Sequence, residues 1–226
     1  MPPHIGTLRE KSLHAALKAW YVQPGDALET AVNGYVVDIV RDGQTLIEIQ
    51  TRSFSSMKPK LTTLLEQYTL RLVHPVALER FVVRVDSDGV VVSRRKSPKR
   101  GQVFDVFREL VSFPTLLAHP HFSLEVLLIH EEQIWRDDGQ GSWRRKGWSI
   151  HDRRLLEVVE SIVLVTPQDC AALIPPTLTE PFDCKELASA VHIQRPLAQK
   201  MAYCLREMGA LQVTGKRGKA LLYAKA

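Results

Sequence analysis

The stretch Tyr35-Val36-Val37-Asp38-Ile39-Val40-Arg41-Asp42-Gly43-Gln44-Thr45-Leu46-Ile47-Glu48-Ile49-Gln50-Thr51 decides how this chain is read. Two apolar runs flank Asp42-Gly43, a pair that accepts positive φ and closes tight hairpins. Asp38 interrupts the first run; Glu48 and Gln50 interrupt the second. Side chains alternate along a strand, so Glu48 and Gln50 share a face. Pairing about Asp42-Gly43 sets residues 37–39 opposite 46–48, which makes Asp38 and Glu48 cross-strand neighbours. Two carboxylates in apolar strands repel each other and are poorly solvated. A divalent cation is the simplest source of the missing charge. Mg²⁺ (or Mn²⁺) suits such a hard oxygen site.

Working outward, Leu28 to Val32 is a further strand that ends at Asn33-Gly34, giving a three-stranded antiparallel meander. Upstream, Thr7-Leu8-Arg9-Glu10 has the form of a capping box. Leu13, Ala16, Leu17 and Trp20 then follow at helical spacing. Downstream, a helix from about 56 to 68 carries Pro59 in its first turn, where a missing N–H costs nothing. A strand over 70–75 follows. The order is α-β-β-β-α-β, with the second helix crossing between two parallel strands. Beyond it, the pattern predicts a hairpin of 81–85 and 90–93 and a basic loop over Arg94–Arg100. A helix over 103–118 broken at Pro114, strands 123–135 and 142–150, and a helix over 153–162 capped by Asp152 come next.

The C-terminal part reads as helices and a hairpin. Asp183-Cys184-Lys185-Glu186 is another capping box, opening a helix to Val191. A second helix runs from Pro196 to Met208 and stops at Gly209. Strands at 211–214 and 220–224 flank Gly215–Lys219. Residues 183–226 hold eight basic and three acidic residues, an excess equal to the +5 of the entire chain. All the net charge therefore belongs to this part, which fits a polyanion-binding module and a soluble basic tail equally well.

Composition bounds the rest. Hydrophobic residues make up 45% and charged residues 24%, the balance of a globular protein. No run approaches the ~18 apolar residues of a membrane span. The first residues lack the apolar core of a secretory leader. Three widely spaced cysteines give neither a disulfide framework nor a zinc ribbon, so a cytoplasmic location is expected.

Asp38 on the second strand, Glu48-Ile49-Gln50 on the third and Glu10 in the first helix, set in that element order over about residues 5–76, resemble the PD-(D/E)XK nuclease superfamily, in its resolvase-like branch. The resemblance implies an α/β (α+β) fold: a restriction-endonuclease-like core within about 5–93 of a 1–165 domain. It implies Asp38, Glu48, the Ile49 carbonyl and Glu10 as metal ligands. It also implies Gln50 at the position of the family lysine. Val37 replaces a common Pro, and Gln50 carries no charge, so Lys58 and Lys60 on the following helix are the candidates for a relocated lysine. Glu10 fits its capping box equally well. Residues 166–226 resemble a winged helix. There Gln194, Arg195, Gln199, Lys200 and Tyr203 would meet a major groove, and Lys216, Arg217 and Lys219 would meet phosphates. Arg94, Arg95 and Lys96 are further candidates for backbone contact, with a merely solvated loop the equal alternative. The expected activity is Mg²⁺-dependent cleavage of double-stranded DNA, with a homodimer suited to cutting both strands. A catalytically inactive DNA-binding regulator and a protein-interaction adaptor are the alternatives.

Overall fold

The computed structural model describes residues 12–86, 88–143 and 147–226. Glu10 and its capping box lie outside the described residues. The chain is mixed α+β around a mostly β central sheet. In chain order the elements are α1 (Ser12–Tyr21), β1 (Ala27–Val32), β2 (Tyr35–Arg41), β3 (Thr45–Ile49), α2 (Lys58–Leu65), β4 (Thr69–Val85), β5 (Val91–Lys96), α3 (Phe107–Leu110), β6 (Phe122–Asp137), β7 (Trp148–Leu164), α4 (Pro167–Ala172), α5 (Cys184–Ala190), α6 (Arg195–Glu207), β8 (Leu211–Arg217) and β9 (Ala220–Lys225). Seven strands form one sheet in the order β1-β2-β3-β4-β6-β7, with β5 on β4, and β8-β9 form a separate pair. Contacts divide the chain into two compact units.

One unit holds 27–74, 103–126 and 162–226. Its β1, β2 and β3 are the antiparallel meander, with Asn33 and Asp42 at positive φ in the two turns. Helix α2 then crosses over, and β3 pairs in parallel with β4, Glu48 opposite Leu72. Buried Leu61, Leu64 and Leu65 form the inner face of α2. Phe54 stacks on Phe113 at 5.2 Å, and Phe113 meets Phe122 edge-on at 6.4 Å. The 103–118 segment is not one helix: it is a 3-10 turn at Val103–Val106, the single turn of α3, and a 3-10 turn at Leu116–Ala118.

In the same unit, α4 and α5 each begin with a capping box in which side chains and backbone bond reciprocally. Helix α5 ends with His192 at φ +53°, where Ile193 N–H bonds the Ala188 carbonyl at 3.0 Å. Helix α6 ends the same way at Gly209, with Ala210 N–H on the Leu205 carbonyl at 2.8 Å. Such a left-handed residue closes a helix by satisfying its last carbonyls. Leu187, Leu197, Ala198, Met201, Ala202, Cys204, Leu205 and Met208 make the core of this helical part. Phe182 forms a two-way backbone bridge with Tyr223 of β9, which adds a third extended segment beside the hairpin.

The other unit holds the described part of 1–26 with 75–102 and 127–161. Two expectations fail here. The strands foreseen at 70–75 and 81–85 are one continuous strand, β4. Pro75 lies between its stretches paired with β3 and with β5, so the missing N–H removes no bond from either ladder. The helix foreseen at 153–162 is instead the middle of β7. Asp152 bonds elsewhere: it accepts from the Ser12 N–H at 3.3 Å and from the Ser12 hydroxyl at 2.5 Å, on α1. The packing that holds β7 as a strand includes Glu131 of β6. Glu131 is fully buried between Arg80 at 2.6 Å and Arg153 at 2.6 Å.

Candidate functional site

The turn between β2 and β3 contains three residues, 42–44, because Gln44 adds one to Asp42-Gly43. The observed register is therefore Arg41 with Thr45, Val40 with Leu46 and Ile39 with Ile47. One step further puts Asp38 directly across from Glu48, a closer match than symmetric pairing about the two turn residues gives. Asp38 is half-buried, and its Oδ2 accepts from the Ile49 N–H at 2.8 Å. Glu48 is 5% exposed. Burial, then the Asp38 charge, push its carboxyl up to about 7, against the opposing pull of Lys60.

Lys60, in the first turn of α2, reaches back to this pair. Its ammonium lies 2.5 Å from Glu48 Oε1 as an ion pair, and its aligned hydrogen bond goes to the Val36 carbonyl at 2.6 Å. Glu48 Oε1 makes no aligned hydrogen bond although it is buried. Lys58 stays exposed. The structure thus brings Asp38, Glu48 and Lys60 together. Gln50 is the first residue past β3, and its amide donates to the Ser53 carbonyl at 2.6 Å. Among the described residues, no group of three or more His, Cys, Asp or Glu gathers as a metal site.

Two supporting residues were not found from sequence. His74 Nδ1 lies 2.7 Å from the Gln50 carbonyl, and its ring meets Phe54 edge-on at 4.9 Å. Glu109 accepts from the Phe54 N–H at 3.2 Å. Together they fasten the 50–57 loop that links β3 to α2. The His-Pro step at 74–75 was a usable signal for the first. Nothing local ties Glu109 to residue 54.

In the C-terminal part, Gln194, Arg195, Gln199, Lys200, Tyr203, Lys216, Arg217 and Lys219 are all exposed. Some of them already have intramolecular partners: Lys200 donates to the Arg108 carbonyl at 3.4 Å, Arg217 pairs with Glu186 at 2.8 Å, and the Tyr203 ring carries the Arg206 guanidinium at 5.6 Å. The hairpin tip is Gly218-Lys219, because β8 runs on through Lys216 and Arg217. Arg94, Arg95 and Lys96 form no loop: they are the end of β5, opposite Val83, Val82 and Phe81. Arg94 pairs with Glu132 at 2.7 Å and Lys96 with Glu79 at 2.6 Å, so much of that charge is already matched.

Among known proteins, the family model described as "Domain of unknown function (DUF8091)" matches residues 11–165, and the chain belongs to that family. It is similar to an uncharacterized protein of Treponema pallidum (strain Nichols), 35% identical over 224 residues, covering 98% of this chain and 87% of the relative. No solved structure matches. No helix among the described residues is long and apolar enough to cross a membrane.

Proposed function

We propose that this protein is a Mg²⁺- (or Mn²⁺-) dependent endonuclease acting on double-stranded DNA, built on a restriction-endonuclease-like core. The observation that carries the reading is the Asp38–Glu48 pair on adjacent strands, with one buried carboxylate oxygen lacking an aligned partner and Lys60 beside it. The residues fit a hard divalent cation: both side chains offer oxygen, and the pair carries more negative charge than one ammonium offsets. Asp38, Glu48 and the Ile49 carbonyl would hold it. When bound, the cation supplies Lewis-acid activation of a phosphodiester. Lys60 supplies the positive charge that Gln50 lacks. Gln50 steadies the loop after β3 through Ser53.

Helices α5 and α6, the β8-β9 hairpin and the Phe182 bridge support a winged helix, with the α6 face of Arg195, Gln199 and Tyr203 and the hairpin lysines Lys216 and Lys219 as its DNA surface. The test is cleavage of supercoiled and linear duplex with Mg²⁺. Activity that vanishes in Asp38→Ala and Glu48→Ala supports the reading. Activity that survives both substitutions rejects it. A second reading, a DNA-binding regulator without catalysis, is favoured by Gln50 standing where the nuclease superfamily that the sequence resembles has lysine. It predicts tight duplex binding with no cleavage in any divalent cation.

A further inference from the structure

Lys60 is held by two strands at once, through the Val36 carbonyl of β2 at 2.6 Å and Glu48 Oε1 of β3 at 2.5 Å. Its side chain is 17% exposed against 6% for that of Glu48, so the ammonium is the more accessible partner. It offsets part of the charge that a divalent cation would offset. A lysine is suited to leave such a place, because its charge is compact and rides on a flexible four-carbon stem. The helix that carries it does not depend on its side chain: α2 is closed by Met57 without a side-chain cap, and its buried face is Leu61, Leu64 and Leu65.

We propose that Lys60 is a built-in counter-ion that competes with the divalent cation for Glu48 and yields when a nucleic-acid phosphate draws the ammonium away. This rests on the metal-dependent reading above. The exchange improves the charge balance. Before it, one ammonium faces two carboxylates. After it, the divalent cation faces the carboxylates and the ammonium faces phosphate. Cation and duplex then bind with positive coupling, and linkage makes the effect reciprocal.

The test is Mn²⁺ binding to the full chain, followed by the EPR signal of free Mn²⁺, with and without a short DNA duplex. Mn²⁺ bound by the duplex alone is subtracted, and the duplex is checked on a gel afterwards. In the wild type the duplex tightens Mn²⁺ binding by about tenfold, within the usual range of coupling. Lys60→Met binds Mn²⁺ about tenfold tighter without DNA, and the duplex adds little. Wild-type affinity that ignores the duplex overturns the proposal, and that comparison needs no variant to fold. Lys60→Met affinity equal to wild type also overturns it while Asp38→Asn still abolishes binding, which leaves the metal centre standing. Mn²⁺ binding indifferent to Asp38→Asn removes the metal centre itself, and the proposal with it.

Discussion

Replacing Glu48 by Gln isolates what the buried carboxyl costs the fold. Its proton is held up to about 7 in the native chain, against 4.5 when exposed, chiefly by burial. Below pH 4.5 the group is protonated in both states and its contribution to stability is intact. As pH rises, the unfolded chain gives up the proton first, so stability falls until the native carboxyl also ionises near pH 7. The gap is worth about 3 kcal/mol, at 1.36 kcal/mol per unit. An amide at this position does not titrate, so the stability of Glu48→Gln relative to wild type should rise by about that amount between pH 4.5 and 8. The pull of Lys60 is already contained in the value of about 7, so it needs no separate correction. Urea unfolding at the two pH values, followed by tryptophan fluorescence, measures the difference. Mg²⁺ at a hundredfold over its Kd should then add about 2.7 kcal/mol to the wild type at pH 8 and little to the variant. A stability difference that stays flat from pH 4.5 to 8 would refute the burial argument, whatever the protein does with DNA.

Other perturbations test other parts of the chain. Lys216→Glu combined with Lys219→Glu should weaken duplex binding and flatten the dependence of log K on log salt by about 2, near 0.9 per lost phosphate contact; an unchanged slope moves the DNA surface elsewhere or favours the adaptor reading. Glu131→Gln strands two arginines around a fully buried position, and should cost about 3–5 kcal/mol in urea unfolding. Cys170 and Cys204 are buried thiols pushed up to about 12 by desolvation, and burial also raises half-buried Cys184, so at pH 8 the native protein should label slowly, at Cys184 alone, and fast at all three only after unfolding. Fast native labelling of Cys204 would contradict the packing of α6.

How far the sequence carries depends on whether a signal is local. The β1–β3 meander, Pro59 in the first turn of α2, the Asp183 capping box and the Gly209 stop are set by residues a few positions apart, and each was legible. The register between β2 and β3 was one residue off, because Asp42-Gly43 implies a two-residue loop and Gln44 made it three. Residues 153–162 misled for a physical reason. Leu155, Val158, Val159 and Ile162 recur at the spacing of a helix face, while the strand holding them is secured by Arg153 reaching Glu131 on β6. The β-branched content at 158–163 was the better clue. Of Lys58 and Lys60, which lie on different sides of a helix, only docking of α2 decides which reaches β3.

Counting basic residues alone overstates what a ligand can use. The eight basic residues of the C-terminal part include Arg217, committed to Glu186, and Arg206, committed to Glu207, pairs that the net +5 already cancels. Lys200 leans on a carbonyl of α3. What projects past these matched pairs is the hairpin, with Lys216 and Lys219, and the α6 face around Tyr203. A phosphate backbone has the cations outside these pairs to meet, and gains one more if the Arg217–Glu186 pair opens. Exposed pairs of this kind are worth roughly 1 kcal/mol or less, so a dense polyanion can break it. The same logic governs the acidic pair at Asp38 and Glu48. There the matched cation is Lys60, and burial makes the exchange more expensive and hence more selective. On the proposed reading, one ligand property, closely spaced negative charge, releases an arginine on the wing and a lysine at the carboxylates. That makes the coupling between metal and duplex a measurable consequence of how the two units of charge are stored.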